Sequence, residues 1–300
     1  MAIRVATAPI SWGIMEHVEY PANYPYSRVL DEIAKAGYAG TELGPYGFYP
    51  SEPAALRREL EKRSLTLCSA FVDIELGNAA ADSEGLALVA KSAELISAAG
   101  AKLLILADKI TPARNATSGR RADANAISWN DSQWKAAAVV IQQVIDCCKK
   151  FGLRVAFHHH AGGYVETPEE VDRLFSLFPA AELGLCLDTG HYAYAGGDTP
   201  AFLEKQVSRV WCVHLKDIYQ KNASQARAAK MNFHQAVRHG IFAPLGKGDL
   251  DFQRILPLLK NGGFDGWVVV EADVLPGGVG ADAPLLNAVA GRDYLRSAGF

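Results

Sequence analysis

The 300-residue chain has no surplus of positive charge: 30 Lys and Arg stand against 33 Asp and Glu, for a formal charge of −3. Binding a nucleic-acid backbone requires a basic excess that displaces counterions, so that class of partner is excluded. Cysteine is sparse, at five, and the number is odd; Cys147 and Cys148 are adjacent, and no pair has the spacing of a structural zinc ribbon. Cys68, Cys186 and Cys212 each lie within an apolar run, where a thiol behaves as a small hydrophobe, so a reducing cytoplasm is expected rather than a disulfide framework. No apolar run is long enough to span a bilayer, because the richest stretch, 84–107, is broken by Lys91, Glu94 and Lys102. The first residues carry one Arg and a short apolar stretch ending at Trp12-Gly13, without the length or cleavage site of a signal peptide, and none is expected.

What is present is an ordinary globular composition, 49% hydrophobic and 21% charged, ample for a core and against disorder. Short, nearly continuous apolar runs occur at 4–10, 40–44, 65–71, 103–108, 154–160, 183–188, 210–217 and 267–273, as expected of strands buried on both faces. Amphipathic stretches separate them. In 26–37, Val29, Leu30, Ile33 and Ala34 recur at helical spacing before Gly37; 84–100 and 132–152 repeat the plan. Thr167-Pro168-Glu169-Glu170 predicts a helix start, with Thr as N-cap and acids in the first turn. Eight strand-then-helix units predict an α/β fold, a single closed (β/α)8 TIM barrel over residues 1–300. A doubly wound open sheet would want a Gly-rich turn after the first strand, and Thr7-Ala8-Pro9-Ile10-Ser11-Trp12 is not one. The longest irregular stretches, 109–128 and 218–248, follow strands four and seven, which places them as covers on the C-terminal face, where barrel active sites lie.

Five of the eight strand ends carry metal-competent groups: Thr41-Glu42-Leu43-Gly44, His158-His159-His160, Asp188-Thr189-Gly190-His191, His214-Leu215-Lys216-Asp217 and Glu271-Ala272-Asp273. Residues two apart share a strand face. His158 and His160 therefore point one way and His159 the other; His214 shares a face with Lys216, and Glu271 with Asp273. One inward group from each of the last four strands gives His158, Asp188, His214 and Glu271 as candidate metal ligands. Mixed nitrogen and oxygen donors suit Mn, Co, Zn or Fe better than Mg or Ca. Trp12, Glu42, Asp217 and Asp273 are candidate substrate contacts, with Asp108, Lys109 and Arg114 as weaker ones.

Six segments carry a resemblance: Ala8-Pro9-Ile10-Ser11-Trp12-Gly13, Gly40-Thr41-Glu42-Leu43-Gly44-Pro45, Phe157-His158-His159-His160-Ala161-Gly162, Leu187-Asp188-Thr189-Gly190-His191, Val213-His214-Leu215-Lys216-Asp217 and Phe242-Ala243-Pro244-Leu245-Gly246. Together they resemble the inosose dehydratases, within the xylose-isomerase-like TIM barrels, over about residues 5 to 275. The resemblance implies dehydration of 2-keto-myo-inositol (scyllo-inosose) to a cyclohexanedione with Mn or Co, and an association with reduced glutathione, for which the sequence shows no recognisable site. In most metal barrels of this superfamily the strand-five ligand is a carboxylate; here the matching residue is His158, with His160 as the alternative. Ser11 stands where Asn is common, and Gly163 where Thr is usual.

The chemistry needs a base for the proton beside the carbonyl and an acid for the departing hydroxyl. Lys216 or His160 is the expected base and His191 the expected acid. A ketose or keto-inositol epimerase or isomerase on the same barrel is the nearest alternative, and a non-catalytic polyol-binding barrel a more distant one. The expected partner is a small keto-polyol, with neither nucleic acid nor membrane; a homo-oligomer is compatible with the sequence.

Overall fold

Strands buried on both faces need apolar side chains at nearly every position, and the chain meets that demand in short bursts separated by helices. A computed structural model describes residues 3–17, 19–78, 83–275 and 283–300. The strands are β1 (Arg4–Thr7), β2 (Gly40–Glu42), β3 (Thr66–Ile74), β4 (Leu103–Asp108), β5 (Arg154–His158), β6 (Leu183–Asp188), β7 (Val210–Leu215), β8 (Asp217–Ile218), β9 (Phe242–Ala243) and β10 (Trp267–Val270). Eight of them close a parallel barrel in the order β1-β10-β7-β6-β5-β4-β3-β2, and β8 and β9 form a separate antiparallel ribbon. The expected closed barrel is therefore the observed fold.

Closure is made by β1 and β10, where Arg4 to Thr7 register against Trp267 to Val270 and Thr7 Oγ1 donates to Val270 O at 2.7 Å. Small side chains fill the interior below the site: Ala6, Ala156, Cys186 and Cys212 are fully buried there, beside Ile105 and Val269. The interior thiols thus occupy the apolar role expected of them. A larger core lies between barrel and helices, where Val29, Leu30 and Ile33 of the helix Tyr26–Ala36 and Ala137, Ile141 and Val144 of the helix Asp131–Lys150 are buried.

The helix ends follow local chemistry. Thr167 and Glu170 form a reciprocal capping box, as do Asn130 and Gln133. Gly37 ends its helix in the left-handed region at φ 84°, a conformation glycine adopts without penalty.

Several strands end earlier than the apolar runs. β1 stops at Thr7, because Pro9–Trp12 turns into a 3-10 helix. β5 stops at His158, β7 at Leu215 and β10 at Val270. β3 instead runs on to Ile74, three residues past expectation. The covers are also less irregular than expected: the first contains the helices Pro112–Thr117 and Arg121–Ala126, and the second Gln220–Ala228, Phe233–Arg238 and β9. Among the described residues no helix is long and apolar enough to cross a membrane.

Candidate active site

A cavity of about 380 Å³ opens at the C-terminal end of the barrel. Glu42, Phe71, His158, His160, His214, Lys216 and Glu271 form its floor and walls, and Ile10, Ile14, Glu16, Asp73, Lys109, Asn115 and His234 line its upper part. Strand alternation delivers the floor: His158 faces inward from the end of β5, while His159 turns away and accepts the Asp188 N–H at 3.3 Å on Nε2. Burial pushes the His159 imidazole down to about 3, so it stays neutral.

The floor is a tight mixture of imidazoles and carboxylates. His214 places Nε2 at 3.1 Å from Glu42 Oε1 and Nδ1 at 3.2 Å from Glu271 Oε2. His158 Nε2 lies 3.5 Å from Asp188 Oδ2, and Ser69 Oγ donates to Glu42 Oε1 at 2.7 Å. Donor atoms of His158, Asp188 and His214 fall within 4.8 Å of one another, as do those of Glu42, His214 and Glu271. His158 Nδ1, His214 Nδ1 and Asp188 Oδ2 are buried without a hydrogen-bond partner. Buried, unsatisfied nitrogen and oxygen donors converging in this way fit a divalent transition metal. The four expected ligands are thus distributed over two overlapping sets that share His214. Glu42, expected to touch substrate, stands among the metal-competent groups.

Lys216 Nζ lies at 2.8 Å from Asp273 Oδ1, 3.0 Å from Glu271 Oε2 and 3.3 Å from Asp188 Oδ2. Burial alone would lower its pKa, but these three carboxylates outweigh burial and hold it well above the ordinary lysine value, as an ammonium. That opposes the expected base role for this lysine. Burial acts in the opposite direction on the partner carboxyls, raising them: it wins at Asp273, pushed up to about 6, and loses at Glu271, where His214 and Lys216 bring the group down to about 2.

His160 orients by donation from Nδ1 to Ala161 O at 2.8 Å, which leaves the Nε2 lone pair free. Burial, then His158 and Lys216, push its pKa well down, so the ring is neutral. His191 is buried and lies outside the cavity wall, behind Lys216, with Nε2 at 3.1 Å from Nζ. Its expected role as the acid that meets the substrate does not match this position.

A family model described as xylose isomerase-like TIM barrel matches residues 30–298. The chain belongs to the xylose isomerase-like TIM barrels. Within that family it is 36% identical over 276 residues to the rhizopine catabolism protein MocC of Rhizobium meliloti, covering 92% of this chain and 83% of that protein. It is 29% identical over 294 residues to an inosose dehydratase of Clostridium perfringens, covering 98% and 97%. Several such relatives bear the name inosose dehydratase, a hydro-lyase, over nearly the full chain. Among solved structures, the IOLI protein with a bound zinc atom superposes with a TM-score of 0.67 at 15% identity, over 99% of this chain and 97% of that one.

Two expected substrate contacts have other duties in this xylose isomerase-like barrel. Trp12 is buried with Nε1 donating to Glu32 Oε2 at 2.6 Å, which ties the β1 turn to the first helix. Asp217 accepts four backbone N–H groups, from Ile218, Gly246, Gly248 and Leu250, and so organises the base of the second cover. Asp273 serves Lys216 and lies outside the cavity wall. Of the weaker candidates, Lys109 and Asp108 line the cavity, whereas Arg114 is wholly buried in the first cover. Sequence reading missed Asp73, Phe71, Asn115 and His234. The first two share the β3 face of Ser69, and counting by two past residue 71 would have found Asp73.

Proposed function

We propose that the chain is a metal-dependent dehydratase of a keto-polyol, with scyllo-inosose as its substrate and Mn or Co as its metal. Relatives named inosose dehydratase over nearly the full length support the substrate, and the convergent His158, Asp188, His214, Glu42 and Glu271 donors support the metal. When bound there, a divalent ion supplies Lewis-acid stabilisation of negative charge on substrate oxygens.

The observation that carries the reading is an acid and a base on one cavity. Neutral His160, with Nδ1 committed to Ala161 O, takes the proton beside the carbonyl on Nε2. The Lys216 ammonium donates to the departing hydroxyl, and Asp273, at 2.8 Å, remains its own counter-ion whichever of the other carboxylates turns toward the metal. Dehydration needs both groups, because a hydroxyl leaves readily only as water. An epimerase returns the proton to carbon and has no such need of an acid at a departing hydroxyl.

Turnover of scyllo-inosose by the Mn-loaded protein is the test. An enone chromophore appearing with loss of substrate is the expected result; epimerised product without a chromophore would overturn the dehydratase reading. Glu271→Gln is expected to lose metal content and turnover together.

A further inference from the structure

Above the cavity the side chain of Asn115 links the two covers. Asn115, from the helix Pro112–Thr117 after β4, accepts the Phe233 N–H on Oδ1 at 2.8 Å and places Nδ2 at 3.3 Å from His234 Nδ1. The first N–H groups of a helix lack partners within it. In the helix Phe233–Arg238 the N-cap Asn232 takes only the Gln235 N–H, so Asn115 supplies the acceptor that Phe233 lacks.

Asn115 reaches out from a fixed point. Its neighbour Arg114 is wholly buried and donates to Gly163 O at 2.8 Å, Ala124 O at 2.5 Å and Glu170 Oε2 at 2.7 Å. The first cover is thereby fastened to the loop and helix that follow β5. A second tie, Arg120 Nη1 to Met231 O at 3.3 Å, runs parallel to that of Asn115.

On the far side of the contact, the Phe233 ring is buried against the His160 and His191 imidazoles. Its centroid lies 5.3 Å from those of both His160 and His191, whose own rings are 4.0 Å apart. A ring packed at that distance limits the rotation of both imidazoles.

We propose that Asn115 is a positioning residue: by holding the Phe233 N–H it seats the Phe233 ring on His160 and His191 and keeps both imidazoles in place. The catalytic part of this inference rests on the assignment of His160 as base given under Proposed function. The structural part does not.

The test compares Asn115→Ala, which removes both contacts, with Asn115→Asp, which keeps an acceptor for Phe233 and loses the donor to His234. Amide hydrogen exchange over 231–238 and the imidazole NMR resonances of His160 and His191 are measured on the protein loaded with diamagnetic Zn, and kcat and KM on scyllo-inosose on the Mn-loaded protein. In Asn115→Ala, exchange at Phe233 is expected to accelerate and both imidazole resonances to shift. A small misplacement of catalytic groups costs roughly tenfold to a hundredfold in rate, so kcat is expected to fall by that order while KM changes much less. Asn115→Asp is expected to restore exchange, resonances and most of kcat. Equal impairment in the two variants, or unchanged exchange and resonances in Asn115→Ala, would overturn the proposal. Absence of turnover in the unmodified protein would sink the functional reading alone, since exchange and resonances still decide the latch.

Discussion

His191 meets a hydrogen-bond donor at each ring nitrogen: the Ala161 N–H faces Nδ1 at 3.3 Å and the Lys216 ammonium faces Nε2 at 3.1 Å. A neutral imidazole can accept at only one nitrogen, so the protonated Lys216 leaves one of the two contacts unfavourable. Once Lys216 has given its proton away, Nε2–H can donate to the free amine while Nδ1 accepts from Ala161, and both contacts are satisfied. In the proposed reaction, His191 would thus favour proton release from a lysine that three carboxylates otherwise hold charged. General acid catalysis contributes about 10²- to 10⁴-fold; Lys216→Met is accordingly expected to lower kcat by that order with little change in KM, and an unchanged kcat in steady-state assays would remove Lys216 from the reaction. At this scale the sequence was legible wherever strand alternation applied, which separates His158 and His160 from His159. It was not legible for Asp217 or Trp12. Asp217 opens the separate ribbon strand β8, so its partners come from distant loop backbone that the two-residue period does not indicate, and the partner of Trp12 depends on where a helix 20 residues away docks.

At the scale of elements, the first cover is held by carboxylates in a poorly solvated setting. Glu166 accepts the Gly119 N–H at 2.6 Å and the Gly162 N–H at 3.1 Å, so it joins the cover to the loop after β5. Burial pushes its carboxyl up from 4.5 to about 7, against the pull of Gly119, Arg114 and Gly162. The folded form therefore binds this proton more tightly than the unfolded chain. The resulting stability is fully present below the unfolded value and is lost as pH rises through about 7. Glu166→Gln cannot ionise, and it is expected to flatten the decline of melting temperature between about pH 4.5 and 7 relative to the unmodified protein. Parallel melting curves across that range would contradict the assignment. The sequence placed both covers on the correct face of the barrel because loops after strands must emerge there. It did not reveal their internal helices, which are six to nine residues long. Such short helices depend on contacts such as Arg114 with Glu170 more than on local propensity.

For the whole molecule, the donors that converge on one cavity come from strands spread around the ring: Glu42 on β2, His158 on β5, Asp188 on β6, His214 on β7, and Glu271 just after β10. A metal bound by them would cross-link the barrel and stabilise only its closed form. At a concentration of about 100 times Kd, a ligand specific to the folded state contributes about 2.7 kcal/mol, which corresponds to a rise in melting temperature of roughly 4 °C for a protein of this size. Mn added to chelated protein is expected to produce that rise, and Glu271→Gln to abolish it; calorimetry without a shift would argue against a metal shared among these strands. The eightfold repeat was readable from the apolar runs alone, because every strand of a parallel barrel is buried on both faces and advertises it.

The pairing of Arg4–Thr7 with Trp267–Val270 spans 263 residues at Thr7 and Val270, and this has a consequence for biosynthesis. Until the ribosome has released Val270, β1 and β7 each present an unpaired edge, open to misdirected pairing. Glu271, the carboxylate that completes the site, follows immediately after that strand. The nascent chain therefore finishes its sheet and its reactive centre in nearly the same step, and no shorter intermediate on the ribosome can carry an assembled centre.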